Sequence, residues 1–292
     1  MLGKRASANA VINAIMSKSN GIGTSKIEAK NSSNLKGQNG HKISSKAHSI
    51  SSMQNLRTVT TQYVNYVKEN YKGRVLENIN QESIRSFLNI KQETLKGSSL
   101  NTYISALGKV ADNLQELGYS NINRQEIVSY REDFNTSKEH INRAYNNPQE
   151  IINNMQNNSP YGLSAELQYK VGLRVDDALN SSKWTINNID NTLTISGSKG
   201  GINYQTAPLS NSLLEKIREA KEQEYKGNYT EYRETLKENS QEWHGTHGLR
   251  YNFAQNRVLE LQEQGLTYSE ALSQTSLELG HSREEITLHY LK

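Results

Sequence analysis

The chain of 292 residues contains no cysteine, which excludes a disulfide framework and any thiolate metal site. It has no run approaching the ~20 consecutive apolar residues that a membrane span needs. Its start lacks the continuous apolar core of a secretory signal, because Asn, Ser and Lys interrupt the stretch Ala10–Met16. Also missing are a phosphate-binding glycine loop, a G-x-S-x-G turn and a spaced cluster of metal ligands. Residues 1–50 lack aromatic side chains altogether. A cytoplasmic protein is the expectation from these absences.

What is present is polar. Hydrophobic residues make up 34% and charged residues 22%, with a mean hydropathy of −0.80. The formal charge of +4 is unevenly spread. Residues 1–50 hold eight Lys/Arg (Lys4, Arg5, Lys18, Lys26, Lys30, Lys36, Lys42, Lys46) against Glu28 alone, a net +7, so the other 242 residues sum to −3. That basic stretch points to a nucleic-acid partner. Rich in Ser, Asn and Gly and poor in apolar surface, it reads as a flexible arm. A short helix at Ala8–Ser17 is compatible with it, with Val11, Ile12 and Ile15 on one face.

The length allows two compact domains. From about residue 52, apolar residues recur at helical spacing. Leu56, Val59, Tyr63, Tyr66 and Val67 mark one helix, and Ile84, Phe87 and Leu88 a second. A third spans about Ser99–Leu117 and a fourth about Arg124–Tyr145, giving a small helical domain at 51–146. Asn147-Pro148 marks a boundary, proline suiting a first helical turn and asparagine its cap. The second domain, 147–292, opens with helices near 149–156 and 160–180. The sheet signal follows: strands at Trp184–Ile189, Leu193–Ser196 and Asn203–Leu209, with turns at Asn191 and Gly197–Gly201. Helices near 211–224, 228–240, 246–264, 267–279 and 283–290 complete the chain. The fold class is mainly α with a small antiparallel β-sheet.

Several residues carry chemistry by type and spacing. In His247-Gly248-Leu249-Arg250 the i, i+3 spacing puts His247 and Arg250 on one helix face. Arg174 lies among apolar neighbours and needs a partner if buried; Asp177, three residues on, is a candidate. Lys199 stands at the tip of the glycine-rich hairpin. Ser282 and Glu285 form an S-x-x-E capping pattern that starts the last helix near Arg283 and places Tyr290 on its second turn. A helix rises ~12 Å over eight residues, so His281 and Tyr290 can act on the same group. Each feature alone is commonplace: a surface pair, an internal salt bridge, a turn lysine, one tyrosine among 16.

Their order is not commonplace. Arg, then Lys in a hairpin, then His-x-x-Arg, then Gly-His, then Tyr nine residues later resembles the tyrosine recombinase/integrase family, which includes phage integrases and Xer-like recombinases. The stretches are GLRVDDALN, SGSKGG with a following APL, HGLRYNFAQ and LGHSREEITLHYL. They cover about residues 160–290, and residues 52–145 resemble the family's core-binding domain more loosely.

The resemblance implies a DNA-binding core-binding domain at 51–146 and a catalytic domain at 147–292. It also implies cutting and rejoining of double-stranded DNA through a 3′-phosphotyrosyl link to Tyr290. A tyrosine nucleophile stores the phosphodiester energy without a metal or cofactor. A phenol ordinarily ionises near pH 10, roughly, so nearby cations or a base must help. By the same resemblance Arg174 and Arg250 would bind the non-bridging phosphate oxygens. Lys199 would protonate the leaving 5′-oxygen, His247 would assist proton transfer at the nucleophile, and His281 would bond the phosphate. Asp177 would support the site. Expected partners are double-stranded DNA, three further copies in a tetramer on DNA, and accessory DNA-bending proteins.

Two departures stand out. Tyr251 and Asn252 follow Arg250 where many members have His and then Thr or Ser. The sequence also stops at Lys292, where many members continue into a helix that docks on a neighbouring protomer, so another segment, such as 1–50, is expected to take that role. The open alternatives are a mobile-element recombinase, a dimer-resolving Xer-like or topoisomerase-IB-like enzyme, and a non-catalytic DNA-binding regulator.

Overall fold

The computed structural model describes residues 3, 5–37, 40–119, 122–134 and 141–291. The chain divides into two compact units, Met1–Glu139 and His140–Lys292. No helix among the described residues is long and apolar enough to cross a membrane.

The first unit is helical: α1 (Ala8–Ser19), α2 (Lys26–Asn31), α3 (Ile50–Asn70), α4 (Val75–Asn78), α5 (Gln81–Gln92), α6 (Gly97–Glu116) and α7 (Arg124–Asp133). The helical periods at 52–117 become buried stripes, with Leu56, Val59, Tyr63 and Val67 of α3 meeting Ile84, Phe87 and Leu88 of α5 and Ile104, Leu107 and Leu114 of α6. Asn80 and Ser83 close a reciprocal cap at the start of α5.

The expected flexible arm is different here. Val11, Ile12, Ile15 and Met16 of α1 are buried in the same core, and Ala47 with them. Lys109 Nζ donates to the carbonyls of Ser44 and Lys46 at 2.5 and 2.8 Å, tying the end of this stretch to α6. One apolar face of four residues, supplied with a neighbouring core, offsets the ordering entropy that composition alone counted against it.

The fourth expected helix also differs. It stops at Asp133, where Phe134 turns extended and donates its N–H to the Tyr130 carbonyl. Further on, Asn142 Oδ1 takes the N–H of Ala144 at 2.9 Å, and Asn252 takes that of Tyr145 at 3.0 Å, so these donors are committed outside a helix. The division between the units accordingly falls at 139/140, ahead of the expected 146/147; residues 135–140 lie outside those described.

The second unit holds α8 (Pro148–Asn158), α9 (Gly162–Val171), α10 (Val175–Ala178), a short 3-10 turn at Ser181–Lys183, and strands β1 (Trp184–Asn187), β2 (Thr192–Ser198) and β3 (Ile202–Gln205). After them come α11 (Asn211–Glu222), α12 (Tyr229–Glu238), α13 (Gly248–Glu263), α14 (Tyr268–Glu278) and α15 (Glu284–Leu288). Pro148 sits in the first turn of α8, as its missing N–H favours, although Asn147 makes no side-chain cap bond. The single helix expected at 160–180 is broken at Gly172, which caps α9 in the left-handed region at φ 69°.

The strands form an antiparallel sheet in the order β1-β2-β3. Trp184 pairs with Ile195 and Ile186 with Leu193, while Ile195 pairs with Tyr204 on the other side. Between Ile195 and Ser198 the register shifts. In a regular strand, residues three apart face opposite sides; the irregularity lets both point inward, and both are buried.

Candidate active site

Arg174 lies in the break between α9 and α10, capping α10 with extended backbone. Its Nη1 donates to Ser198 Oγ at 3.1 Å and its Nη2 to the Gly280 carbonyl at 3.1 Å. The expected direct pairing with Asp177 does not form. Asp177 is 1% exposed and instead accepts from Lys183 Nζ at 2.8 Å and from Ser198 Oγ at 2.5 Å. Ser198 therefore stands between them, accepting from Arg174 and donating to Asp177. The strand irregularity that turns Ser198 inward makes this link.

Arg250, in the first turn of α13, is fully buried. Its Nη1 donates to the Gly172 carbonyl, and its Nη2 to the Leu279 carbonyl at 2.7 Å and to His281 Nε2 at 3.0 Å. The two arginines thus bond the successive carbonyls of residues 279 and 280. Gly280 has φ 61°, and a Cβ there would lie 2.6 Å from the Tyr204 ring. A Cβ on Gly172 would lie 2.3 Å from Phe253. Close approach at both glycines lets their carbonyls reach the guanidinium groups.

Neither guanidinium has a carboxylate partner among the described residues; every contact named above is to a neutral group. The positive charge, fully buried at Arg250 and half-buried at Arg174, acts on its neighbours. His281 is pushed down to about 3, first by burial and then by Arg250 and Arg174. His247, which caps α13, is pushed down to about 4 by burial, then by Arg250, Arg143, Lys199 and Arg174. Burial, and then Arg250, also lower Arg174. Both imidazoles are neutral at physiological pH, and the Nδ1 of His247 is buried without a partner.

The hydrogen bonds fix the tautomer of His281. Arginine only donates, so Nε2 accepts. Nδ1 then carries the proton and donates to Thr287 Oγ1 at 2.8 Å. Thr287 in turn donates to Ser276 Oγ at 2.6 Å, and Ser276 donates to the Leu272 carbonyl at 2.7 Å. The terminal carbonyl can only accept, so the whole chain runs one way. Here His281 offers its lone pair to Arg250, where sequence led us to expect a bond to phosphate.

Tyr290 is half-buried. Its ring centroid is 5.4 Å from that of His281, and Arg250 Cζ lies 5.8 Å from it. The expected helical turn at 290 is absent: α15 ends at Leu288, and Tyr290 N–H donates to the Thr287 carbonyl at 2.8 Å in the turn that follows. The expected Ser282–Glu285 capping box does not form either. Arg283 occupies the cap position with extended backbone and no side-chain bond, which leaves Ser282 one residue too early. Lys199 is exposed in the β2–β3 turn and joins the cluster only through its charge on His247.

Four of the six expected residues, Arg174, Arg250, His281 and Tyr290, therefore meet at or beside the 279–281 turn, while His247 and Lys199 join them through charge, His247 from the cap of α13 and Lys199 from its exposed turn. Residues 41–118 match the family model for the phage integrase N-terminal, SAM-like domain. No curated protein sequence matches the chain. Among solved structures, XerH recombinase bound to difH substrate in a pre-cleavage complex aligns with TM-score 0.62 and 15% identity over 99% of this chain and 96% of that one. A lambda integrase dimer bound to a COC′ core site aligns with TM-score 0.60 and 17% identity over 84% and 73%. The Tn1549 transposon integrase in complex with circular intermediate DNA gives 0.54 and 10% over 97% and 94%.

In fold, the chain is similar to these solved site-specific recombinases and integrases. Within that fold, sequence reasoning missed Ser198, Thr287 and Ser276, hydroxyl residues in a chain where serine is abundant. It also left Tyr251 and Asn252 without a task. Asn252 clamps the backbone of Tyr145 in both directions, at 3.0 and 2.8 Å, and Tyr251 packs its ring 4.4 Å from that of Tyr290.

Proposed function

We propose that this chain is a site-specific DNA recombinase that cuts and rejoins double-stranded DNA through a 3′-phosphotyrosyl link at Tyr290. The observation that carries the reading is the buried Arg250 guanidinium beside the Tyr290 ring, with the half-buried Arg174 anchored on the same turn and no carboxylate bonded directly to either among the described residues. Such a pocket favours an anion, and the planar forks of Arg174 and Arg250 suit phosphate oxygens. Donors of this kind, preorganised for charge that develops in the transition state, are worth ~3–4 kcal/mol each.

In the proposed step the Tyr290 oxygen bonds to phosphorus and the bond from phosphorus to the 5′-oxygen breaks. His247, neutral and with an unpartnered ring nitrogen, takes the phenolic proton. Lys199, on its exposed turn, delivers a proton to the leaving oxygen. His281 aligns Arg250 before DNA arrives, and can donate to the phosphate once that anion favours a proton on Nε2. Asp177 holds Arg174 through Ser198. A DNA hydroxyl attacking the phosphotyrosine reverses the step and rejoins the strand.

The match of residues 41–118 to the phage integrase domain favours service to a mobile genetic element over dimer resolution, with the first unit binding DNA. A lambda integrase tetramer has been solved on a Holliday junction, and we extend four-copy assembly to this chain, with accessory DNA-bending proteins as further partners. The test is a covalent one. Nicked duplexes carrying candidate sites should yield a protein–DNA adduct on a denaturing gel, and Tyr290→Phe should abolish it. An adduct that persists in Tyr290→Phe removes Tyr290 as nucleophile, and no adduct on any site favours a DNA-binding regulator.

A further inference from the structure

The segment that bears Tyr290 leaves its helix two residues earlier, so helical hydrogen bonding does not fix the ring. Beside His281 and Arg250, two residues one turn apart on α13 contact Tyr290, one at its ring and one at its carbonyl. The Tyr251 ring lies 4.4 Å from the Tyr290 ring at an interplanar angle of 37°. Gln255 Nε2 donates to the Tyr290 carbonyl at 2.8 Å. The same nitrogen donates to Asn142 Oδ1 at 3.1 Å. Arg143, the next residue, places its guanidinium carbon 6.0 Å from the Tyr251 ring. Both supports of Tyr290 are therefore themselves contacted by the stretch 142–143, and Asn252 secures that stretch to α13 through the backbone of Tyr145.

We propose that Tyr251 and Gln255 are positioning residues for the nucleophile, and that Asn142 and Arg143 brace them. The proposal rests on Tyr290 being the nucleophile, and it assigns a task to the position where this sequence departs from its relatives. Tyr251 supplies a ring face and Gln255 a backbone anchor. Neither needs to touch DNA.

The experiment uses the full chain with 3-fluorotyrosine at position 290 alone, together with single-turnover adduct formation on nicked duplex. Without DNA, the fluorine resonance should be single and narrow in the parent protein, and shifted and broadened in Gln255→Ala and Tyr251→Ala. At saturating DNA the same variants should form adduct about 10- to 100-fold more slowly, the scale of a misplaced reacting group. The DNA concentration for half-maximal rate should stay within about twofold, because uniform binding is untouched. Tyr251→Phe keeps the ring and should keep both the resonance and the rate. Unchanged resonances in both alanine variants, or parental rates, overturn the proposal, as does a Tyr251→Phe variant as slow as Tyr251→Ala. If the parent protein never forms an adduct, the proposed function fails, while the fluorine resonance still decides the positioning.

Discussion

Arg124 in the first unit and Arg250 in the second are both withdrawn from solvent, yet only Arg124 meets a carboxylate. It pairs with Asp112, whose side chain is 1% exposed, and burial pushes that acid up to about 6 despite the neighbouring guanidinium. Arg257, in the second unit, follows the same rule, taking both oxygens of Glu278 at 2.8 and 2.9 Å. Arg250 breaks it, holding two carbonyls and an imidazole. A paired buried arginine is what a stable fold tolerates. An unpaired one costs stability, a cost that the anion binding proposed for Arg250 would offset.

The strongest way to test that contrast is to remove one arginine from each unit. Arg250→Met should cut single-turnover adduct formation about 100- to 1,000-fold, while the melting temperature changes little, because an uncompensated charge leaves with its hydrogen bonds. Arg124→Met should do the reverse. It strands Asp112 and should destabilise the first unit by about 3–5 kcal/mol, measured by denaturant unfolding, with the adduct rate at saturating DNA preserved. If both substitutions behave alike, the distinction is wrong. Next in size, Gly280→Ala forces a side chain into the Tyr204 ring at a positive φ. We expect a loss of about 1–3 kcal/mol and a slower adduct step, because the Arg174 anchor moves.

A smaller effect is expected from the hydroxyl chain behind His281. Thr287→Val removes its acceptor and should destabilise by about 1–2 kcal/mol. It should slow adduct formation severalfold, whereas Thr287→Ser restores both. The smallest effect concerns pH, and the units should respond in opposite directions. Asp112 sits at about 6 against an ordinary 3.8, so the folded first unit holds this proton more tightly. Its contribution is full below about pH 3.8 and is lost as pH rises through 6. His281 and His247 sit at about 3 and 4 against 6.5, so the unfolded chain takes these protons first. Their contribution is full above pH 6.5 and drains as pH falls toward 3 to 4. Hydrogen exchange between pH 7 and 4 should show the second unit loosening, with the slope flattened in His281→Asn. Parallel slopes in the two units would contradict the assignment.

The helical periods of α3, α5 and α6 were legible because apolar stripes repeat at 3.6 residues, and the order of Arg174, His247, Arg250, His281 and Tyr290 led to residues the fold does gather. Other features depended on long-range contacts. The burial of α1 required a core supplied by α3 and α6. The Ser282 pattern looked like a cap, but capping depends on which residue turns extended, and that residue is Arg283. Ser198 and Thr287 became legible only when a strand irregularity and a one-way hydrogen-bond chain showed where their hydroxyls point. Tyr251 and Gln255 lie on a helix face whose neighbour comes from 35 residues further along for Gln255, a distance that spacing rules do not cover.

Two successive peptide units at Leu279-Gly280 each anchor one guanidinium group, so a change in the backbone of this turn reaches both arginines. Anything that reorients this turn, whether a ligand, a neighbouring molecule or a mutation, takes one anchor from each arginine of the proposed anion pocket. The turn thus acts as a common breaker for the proposed site, and a molecule that grips it would disturb both arginines without occupying the space between them.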